Sequence, residues 1–161
     1  MIKISMSQAS AAHNLLQAIR ERIVDGEGPF HGYSAAATAA GYTSNAKDAG
    51  RAMGQVTSRI DLAAFYAGLP MLAMHWVRNP NGKINPASFP GTWELYKAEI
   101  ERVATTYAWA AEDIDKVRAK MHSTLAANEG AVTLWKYVES RRLDTPGFVE
   151  HHLHRALRLQ A

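Results

Sequence analysis

The stretch YSAAATAAGYTSNAKDAGRAMGQVTSR, residues 33–59, predicts two helices joined by a tight turn. A short alanine-rich helix is expected over 34–40, with Ser34 as its N-cap. Gly41 follows where a helix needs a residue that tolerates positive φ, and Thr43 and Ser44 offer an N-cap for the next helix. Two helices joined by so short a turn are the sequence pattern of a helix-turn-helix.

The second of these helices carries two faces of different chemistry. One face is small or apolar at helical spacing and is predicted to face the core: Ala46, Ala49, Gly50, Met53, Val56, Ile60 and Ala63. The other face is polar and basic: Lys47, Arg51, Gln55, Ser58 and Arg59. Arginine and lysine contact phosphates or guanine edges in the major groove, and glutamine pairs with adenine. We therefore expect this face to bind DNA, with an ordinary solvated helix face as the alternative.

Residues 68–85 predict a β-hairpin that follows the second helix. Gly68-Leu69-Pro70 is expected to end helical structure, and residues 71–78 are strand-like by alternation. The turn Asn79-Pro80-Asn81-Gly82 leads into a predicted return strand over 83–85. Such a hairpin would form a wing beside the helix-turn-helix. Arg78 and Lys83 near its tip are predicted to contact a phosphate, and simple exposure is the alternative.

Helices are expected on both sides of this region. A first helix over 7–25 has an apolar face and ends at Gly26; the face consists of Leu15, Leu16, Ile19, Ile23 and Val24. Residues 91–161 read as helical throughout, with helices beginning near Thr92, Glu112, Gly130 and Thr145. The inward positions of the first two contain Val103, Tyr107, Ile114, Val117 and Met121.

Composition is that of an ordinary globular protein. The chain has 161 residues, 47% of them hydrophobic, which suffices for one domain with a real core. It contains neither an apolar run that could span a bilayer nor a secretory signal, and a cytoplasmic location is expected. The formal net charge of +3 permits DNA binding without indicating it, so the basic helix face matters more.

Residues 33–53 resemble the DNA-binding helix-turn-helix of the alkylguanine-DNA alkyltransferase C-terminal domain and of alkyltransferase-like proteins. The matching positions are Tyr33, Ala37, Ala40, Gly41, Ala46, Gly50, Ala52 and Met53. Lys47 falls where that family places an arginine that enters the duplex as the flipped nucleotide leaves. Tyr33 falls where the family has a tyrosine that helps to rotate the target phosphate. The resemblance covers about residues 10–90.

Residues 68–89 continue the likeness and are closer still to a winged module found in HNH-type, restriction-like proteins. The residues that carry this similarity are Gly68, Leu69, Pro70, Leu72, Val77, Gly82 and Phe89. The resemblance also implies that Tyr33, Met74, His75 and Trp76 border a pocket for an extruded base. Met74 or His75 would occupy the position of the acceptor cysteine. Because the chain contains no cysteine, repair by alkyl transfer to a thiolate is excluded.

Histidines offer the other candidate chemistry. Glu150, His151, His152 and His154 crowd one turn of the last predicted helix, but no recognised framework for a metal accompanies them, and no metal site is expected. His13 and His122 lack the ββα pattern of an HNH nuclease. We therefore expect neither a catalytic residue nor a cofactor.

Together these features predict a mainly α protein. A winged helix-turn-helix with a small β-hairpin wing is expected over 1–90, followed by a helical extension over 91–161. The expected function is non-catalytic binding of double-stranded DNA, extending to modified or distorted DNA. The residues expected to contact nucleic acid are Tyr33, Ser44, Asn45, Lys47, Arg51, Gln55, Arg59, Arg78 and Lys83. The alternatives are a protein-interaction module of a phage or bacterial defence or anti-defence system, and an accessory subunit of a nuclease.

Overall fold

The computed structural model describes residues 8–42, 46–84 and 97–127, and these residues form a mainly helical fold, as expected. Its elements in chain order are α1 (Gln8–Asp25), β1 (Phe30–His31), α2 (Tyr33–Ala39), α3 (Ala46–Tyr66), α4 (Leu72–Trp76), β2 (Val77–Arg78), α5 (Lys97–Thr106) and α6 (Ala111–Ala127). Within these three ranges, no helix is long and apolar enough to cross a membrane.

Helix α3 is the centre of the fold, because α1, α2, α4 and α6 all pack against it. The predicted inward positions of α3 that the structure describes are buried: Met53, Val56, Ile60 and Ala63. They meet buried residues of α1 and α6, which include Leu15, Leu16, Ile19, Ile114, Val117 and Met121. Helical spacing of apolar residues therefore located this core correctly.

Two helix ends differ in detail from the prediction. Helix α2 begins at Tyr33, one residue before the expected start, and Gly32 rather than Ser34 occupies the N-cap position with a φ of 102°. Gly41 ends the helix as predicted, with a φ of 96°. In α1 the apolar face ends earlier than expected, since Val24 is 65% exposed while Gly26, with a φ of 72°, terminates the helix.

The strand predicted over 71–78 is wrong, because residues 72–76 form the short helix α4. Alternation misled here because Leu72, Ala73, Met74 and Trp76 are all buried, and a continuous apolar run cannot separate a buried strand from a buried helix. Leucine, alanine and methionine are also good helix formers. Only Val77 and Arg78 remain extended, as β2.

The predicted β-hairpin is also corrected. Strand β2 pairs in parallel with β1, with Phe30 opposite Val77 and His31 opposite Arg78. The turn itself forms where expected, because Gly82 N donates to Asn79 O over 2.8 Å and Asn79 N to Lys83 O over 2.9 Å. Lys83 and Ile84, however, are not part of a strand. The turn therefore follows β2 without joining it to a described return strand, and Asn85 lies outside the described residues.

Several predicted features fall outside those residues. They are the Thr43/Ser44 cap, Thr92, the boundary at residue 90, the helices expected beyond residue 127 and the histidines at 151, 152 and 154.

Helix α5 covers Lys97–Thr106, and α6 begins at Ala111, one residue before the predicted start. Asp113, in the first turn of α6, accepts hydrogen bonds from Ala110 N and from the Tyr107 hydroxyl, and the first of these caps the start of the helix as in a capping box.

Candidate nucleic-acid interface

The side of α3 away from its buried positions Met53 and Val56, termed the outward face, contains three of the predicted binding residues, Gln55, Ser58 and Arg59. Gly54 on this face is exposed, and the three predicted residues are half-buried. They are thus only partly accessible at the surface. Lys47 and Arg51 lie in the first turns of the same helix, where the structure describes the backbone. Ser44 and Asn45 lie outside the described residues.

The end of α2, up to Tyr42, is held by backbone and side-chain hydrogen bonds. Gly41 N donates to Thr38 O over 3.0 Å, and Tyr42 N donates to Ala37 O over 3.0 Å. The Asn14 side chain of α1 donates to Ala40 O over 3.1 Å, which satisfies a carbonyl at the end of α2. Buried Ala36 and Ala37 allow the two helices to approach closely. This arrangement gives α3 a fixed orientation relative to α2.

A second polar surface lies at the start of α2, where the Asn79–Gly82 turn packs against β1. Gly32 N donates to Arg78 O over 2.8 Å. A Cβ on Gly82 would lie 3.4 Å from His31 Cε1, so the turn rests on the imidazole of His31. His31 and Lys83 are exposed there, and Tyr33 is half-buried against the core. The predicted phosphate contact Lys83 is thus on the surface.

Arg78 differs from Lys83, because its guanidinium is engaged within the protein. Its Nε donates to His75 O over 2.6 Å, and its Nη1 donates to Gly82 O over 3.3 Å. Its Nη2 lies 2.9 Å from His75 Nδ1. Since a guanidinium only donates, this imidazole nitrogen must accept. Arg78 therefore holds α4 and the Asn79–Gly82 turn together, a role that the sequence prediction of a phosphate contact missed.

Replacing Arg78 by lysine is expected to loosen this connection although the charge is kept. A single ammonium cannot reproduce three bonds from a planar fork. We expect a loss of about 1–2 kcal/mol in the free energy of unfolding, measured by urea denaturation. Arg20→Lys is the control, because Arg20 makes an exposed ion pair with Asp115 over 3.2 Å, and its replacement should change stability by less than about 1 kcal/mol. Equal losses in the two variants would contradict the role assigned to Arg78.

The residues predicted to border a base pocket do not form an open strand. Met74 and Trp76 are 2% and 5% exposed, so neither presents surface to a base. His75 is half-buried, with its ring stacked on Trp109 at 6.1 Å and edge-on to Trp76 at 5.3 Å. Desolvation by burial and the Arg78 charge lower the pKa of His75 to about 4. This imidazole is therefore neutral and acts as an acceptor that orders Arg78.

Asp61 is a buried ionisable residue that was not predicted from the sequence. It lies in α3 and is 5% exposed, and its Oδ1 accepts from Ala73 N over 2.7 Å. Burial raises the pKa of its carboxyl to about 7, although backbone hydrogen bonds from Ala73 and Met74 oppose the shift. Because these amides belong to the first turn of α4, Asp61 caps α4 from another helix. Helical spacing gave no signal of this burial, because Asp61 lies seven residues after Gly54 and so on the polar side of α3.

Comparisons of the chain with protein-family models, with curated proteins and with solved structures find no match.

Proposed function

We propose that this protein binds double-stranded DNA without catalysis, using the outward face of α3 within a helix-turn-helix formed by α2 and α3. The observation that carries the proposal is the division of α3 into two faces. Met53, Val56 and Ile60 are buried, while Gly54 is exposed and Gln55 and Arg59 are half-buried on the opposite side. A helix held by its apolar face, with arginine and glutamine directed outward, has the chemistry of a helix that enters a DNA groove.

The charges on this helix support a nucleic-acid partner. Lys47, Arg51 and Arg59 recur on the polar face, and the stretch from Ala46 to Ile60 contains a single acidic residue, Asp48. Lysine and arginine contacts to phosphates release counterions and supply most of the affinity of sequence-independent binding. Exposed Lys83, on the turn that Arg78 holds, would add a further phosphate contact.

Recognition of modified or distorted DNA belongs to the same proposal and rests on the resemblance to alkyltransferase-like proteins. Extrusion of a base is easiest at a mismatch or at a damaged base. The buried positions of Met74 and Trp76 do not favour a base pocket between them. A preference for distorted DNA would then arise from how easily the duplex deforms around α3, rather than from a preformed pocket.

The proposal is tested by a salt titration of duplex binding. We expect the double substitution Lys47→Ala with Arg51→Ala to weaken binding and to reduce the slope of log K against log salt by about one unit for each lost phosphate contact. Arg59→Ala should act in the same direction. Lys116→Ala is the matched control, because Lys116 is an exposed lysine that belongs to α6 and not to α3. A mismatched duplex should bind more tightly than the matched one.

Two outcomes would contradict the proposal. A folded double variant that binds with the wild-type salt slope would exclude the outward face of α3 as the interface. An absence of measurable duplex binding by the wild-type protein at low salt would exclude DNA as the partner and favour the protein-interaction alternative. Circular dichroism spectra matching the wild type establish that each variant is folded.

A further inference from the structure

Gly54 lies on the outward face of α3, and nothing within the described residues accounts for a glycine there. It is exposed and lies in the interior of a helix that runs from Ala46 to Tyr66. The φ angle of Gly54 is not positive, so its conformation does not require glycine. A Cβ built at this position would meet no atom of the described residues within 4 Å. The position thus has both the backbone angles and the space for a side chain.

Glycine at such a position weakens the helix. In a helix interior it is less favourable than alanine, because it loses more backbone freedom on folding. Two other described glycines have visible reasons: Gly41 ends α2 with a φ of 96°, and Gly82 packs against the ring of His31. Since the described fold supplies no such reason at Gly54, the requirement for glycine is expected to come from a binding partner.

Two hydroxyl side chains near Gly54 bond back to the helix and add little bulk to its surface. The Ser58 hydroxyl donates to Gly54 O over 2.8 Å, and the Thr57 hydroxyl donates to Met53 O over 2.8 Å. Both side chains are therefore turned back onto the helix backbone instead of projecting outward. No atom of the described residues lies within 4 Å of the place where a Cβ on Gly54 would be, so none of them covers the backbone there. Gln55 and Arg59 flank it.

We infer that the backbone of α3 at Gly54 is the point of closest approach to a bound duplex, in van der Waals contact with its sugar-phosphate backbone. This inference rests on the proposed function and specifies how α3 meets its partner. A duplex is the occupant because helical spacing assigns the basic residues Lys47, Arg51 and Arg59 to the same side of α3 as Gly54, and their charge complements a polyanion. Glycine is the residue that permits such a close approach of backbone to a ligand.

The test is a series of substitutions at Gly54 with increasing side-chain size, Gly54→Ala, Gly54→Val and Gly54→Leu. We expect Gly54→Ala to raise Tm by about 2 °C because alanine favours the helix. The same substitution should weaken duplex binding by about tenfold, and Gly54→Leu should weaken it further, since each added atom holds the duplex away. The salt slope should stay within about half a unit of the wild-type value, because no charge is removed.

Ala119→Leu is the matched control, because Ala119 is an exposed helical position on α6 and its enlargement should leave binding unchanged. If Arg59→Ala weakens binding while Gly54→Leu binds like the wild type, the inference is overturned and the proposed function stands. If the wild-type protein binds no duplex, both are overturned. Loss of affinity in Gly54→Ala that accompanies a fall in Tm would also contradict the inference, because the defect would then lie in the fold.

Discussion

Replacing Asp61 by alanine is expected to lower the free energy of unfolding by about 2–4 kcal/mol, one of the two largest effects that the structure predicts. The Asp61 carboxyl is buried and accepts hydrogen bonds from the amides of Ala73 and Met74 at the start of α4. Alanine would leave these donors without an acceptor in a place that water does not reach. Each unsatisfied buried donor costs about 1–3 kcal/mol.

The measurement is urea denaturation followed by circular dichroism, with Asp115→Ala as the matched control. Asp115 is also an aspartate on a helix, but its side chain is 51% exposed and its partner Arg20 lies at the surface. Its loss should therefore cost less than about 1 kcal/mol. Equal destabilisation by the two substitutions would show that Asp61 does not hold α4 against α3.

The second large effect is an opposite pH dependence for two groups that border α4. The pKa of Asp61 is raised from 3.8 to about 7, so its contribution to stability is complete below pH 3.8 and is lost as the pH rises through 7. The pKa of His75 is lowered from 6.5 to about 4, so its contribution is complete above pH 6.5 and is lost as the pH falls through 4. Between about pH 4 and 7 the two contributions oppose each other.

Single substitutions should separate these contributions. In Asp61→Asn, which keeps an oxygen acceptor for Ala73 N, we expect stability to rise with pH across this window because only His75 titrates. In His75→Gln we expect stability to fall with rising pH because only Asp61 titrates. Each slope should amount to a few kcal/mol over the window, since one pKa unit corresponds to about 1.4 kcal/mol. Urea denaturation at several pH values measures both, and parallel profiles in the two variants would contradict the assignment.

Helical periodicity predicted much of this fold correctly. The apolar spacing in α1, α3 and α6 identified their buried faces, because a helix that packs on one side must repeat its apolar residues every three or four positions. Glycine likewise located the ends of α1 and α2 at Gly26 and Gly41, where φ is 72° and 96°. In both cases the information is local, so a single sequence contains it.

Features that depend on distant residues could not be predicted in this way. The apolar run that forms α4 has no period, and its helical form is supported by Asp61, which lies eleven residues earlier in the chain than Leu72. Strands β1 and β2 are two residues each and pair across α2 and α3, so no turn signal connects them. The sequence predicted Arg78 to be an exposed residue near the tip of a hairpin. In the structure, helix α4 places His75 next to it.

In the candidate interface, too, local features could be predicted from the sequence and tertiary features could not. Helical spacing alone placed Gln55, Ser58 and Arg59 on the side of α3 opposite its buried residues, and in the structure they are half-buried. The burial of Met74 and Trp76, which were predicted to border a base pocket, could not be predicted because it depends on tertiary contacts. The sequence did not indicate a role for Gly54, because the reason for a glycine within a helix can be judged only when the space around it is known.

The most direct test of α3 as the DNA-binding helix uses the absence of cysteine from the chain. Gln55→Cys provides a single site for an iron chelate that generates hydroxyl radicals, and Lys116→Cys on α6 provides the control. At equal occupancy of a duplex, we expect the chelate at position 55 to cut the DNA strands efficiently and the chelate at position 116 to cut weakly. Equal cutting from the two positions, or cutting from position 116 alone, would contradict the claim that the outward face of α3 binds DNA.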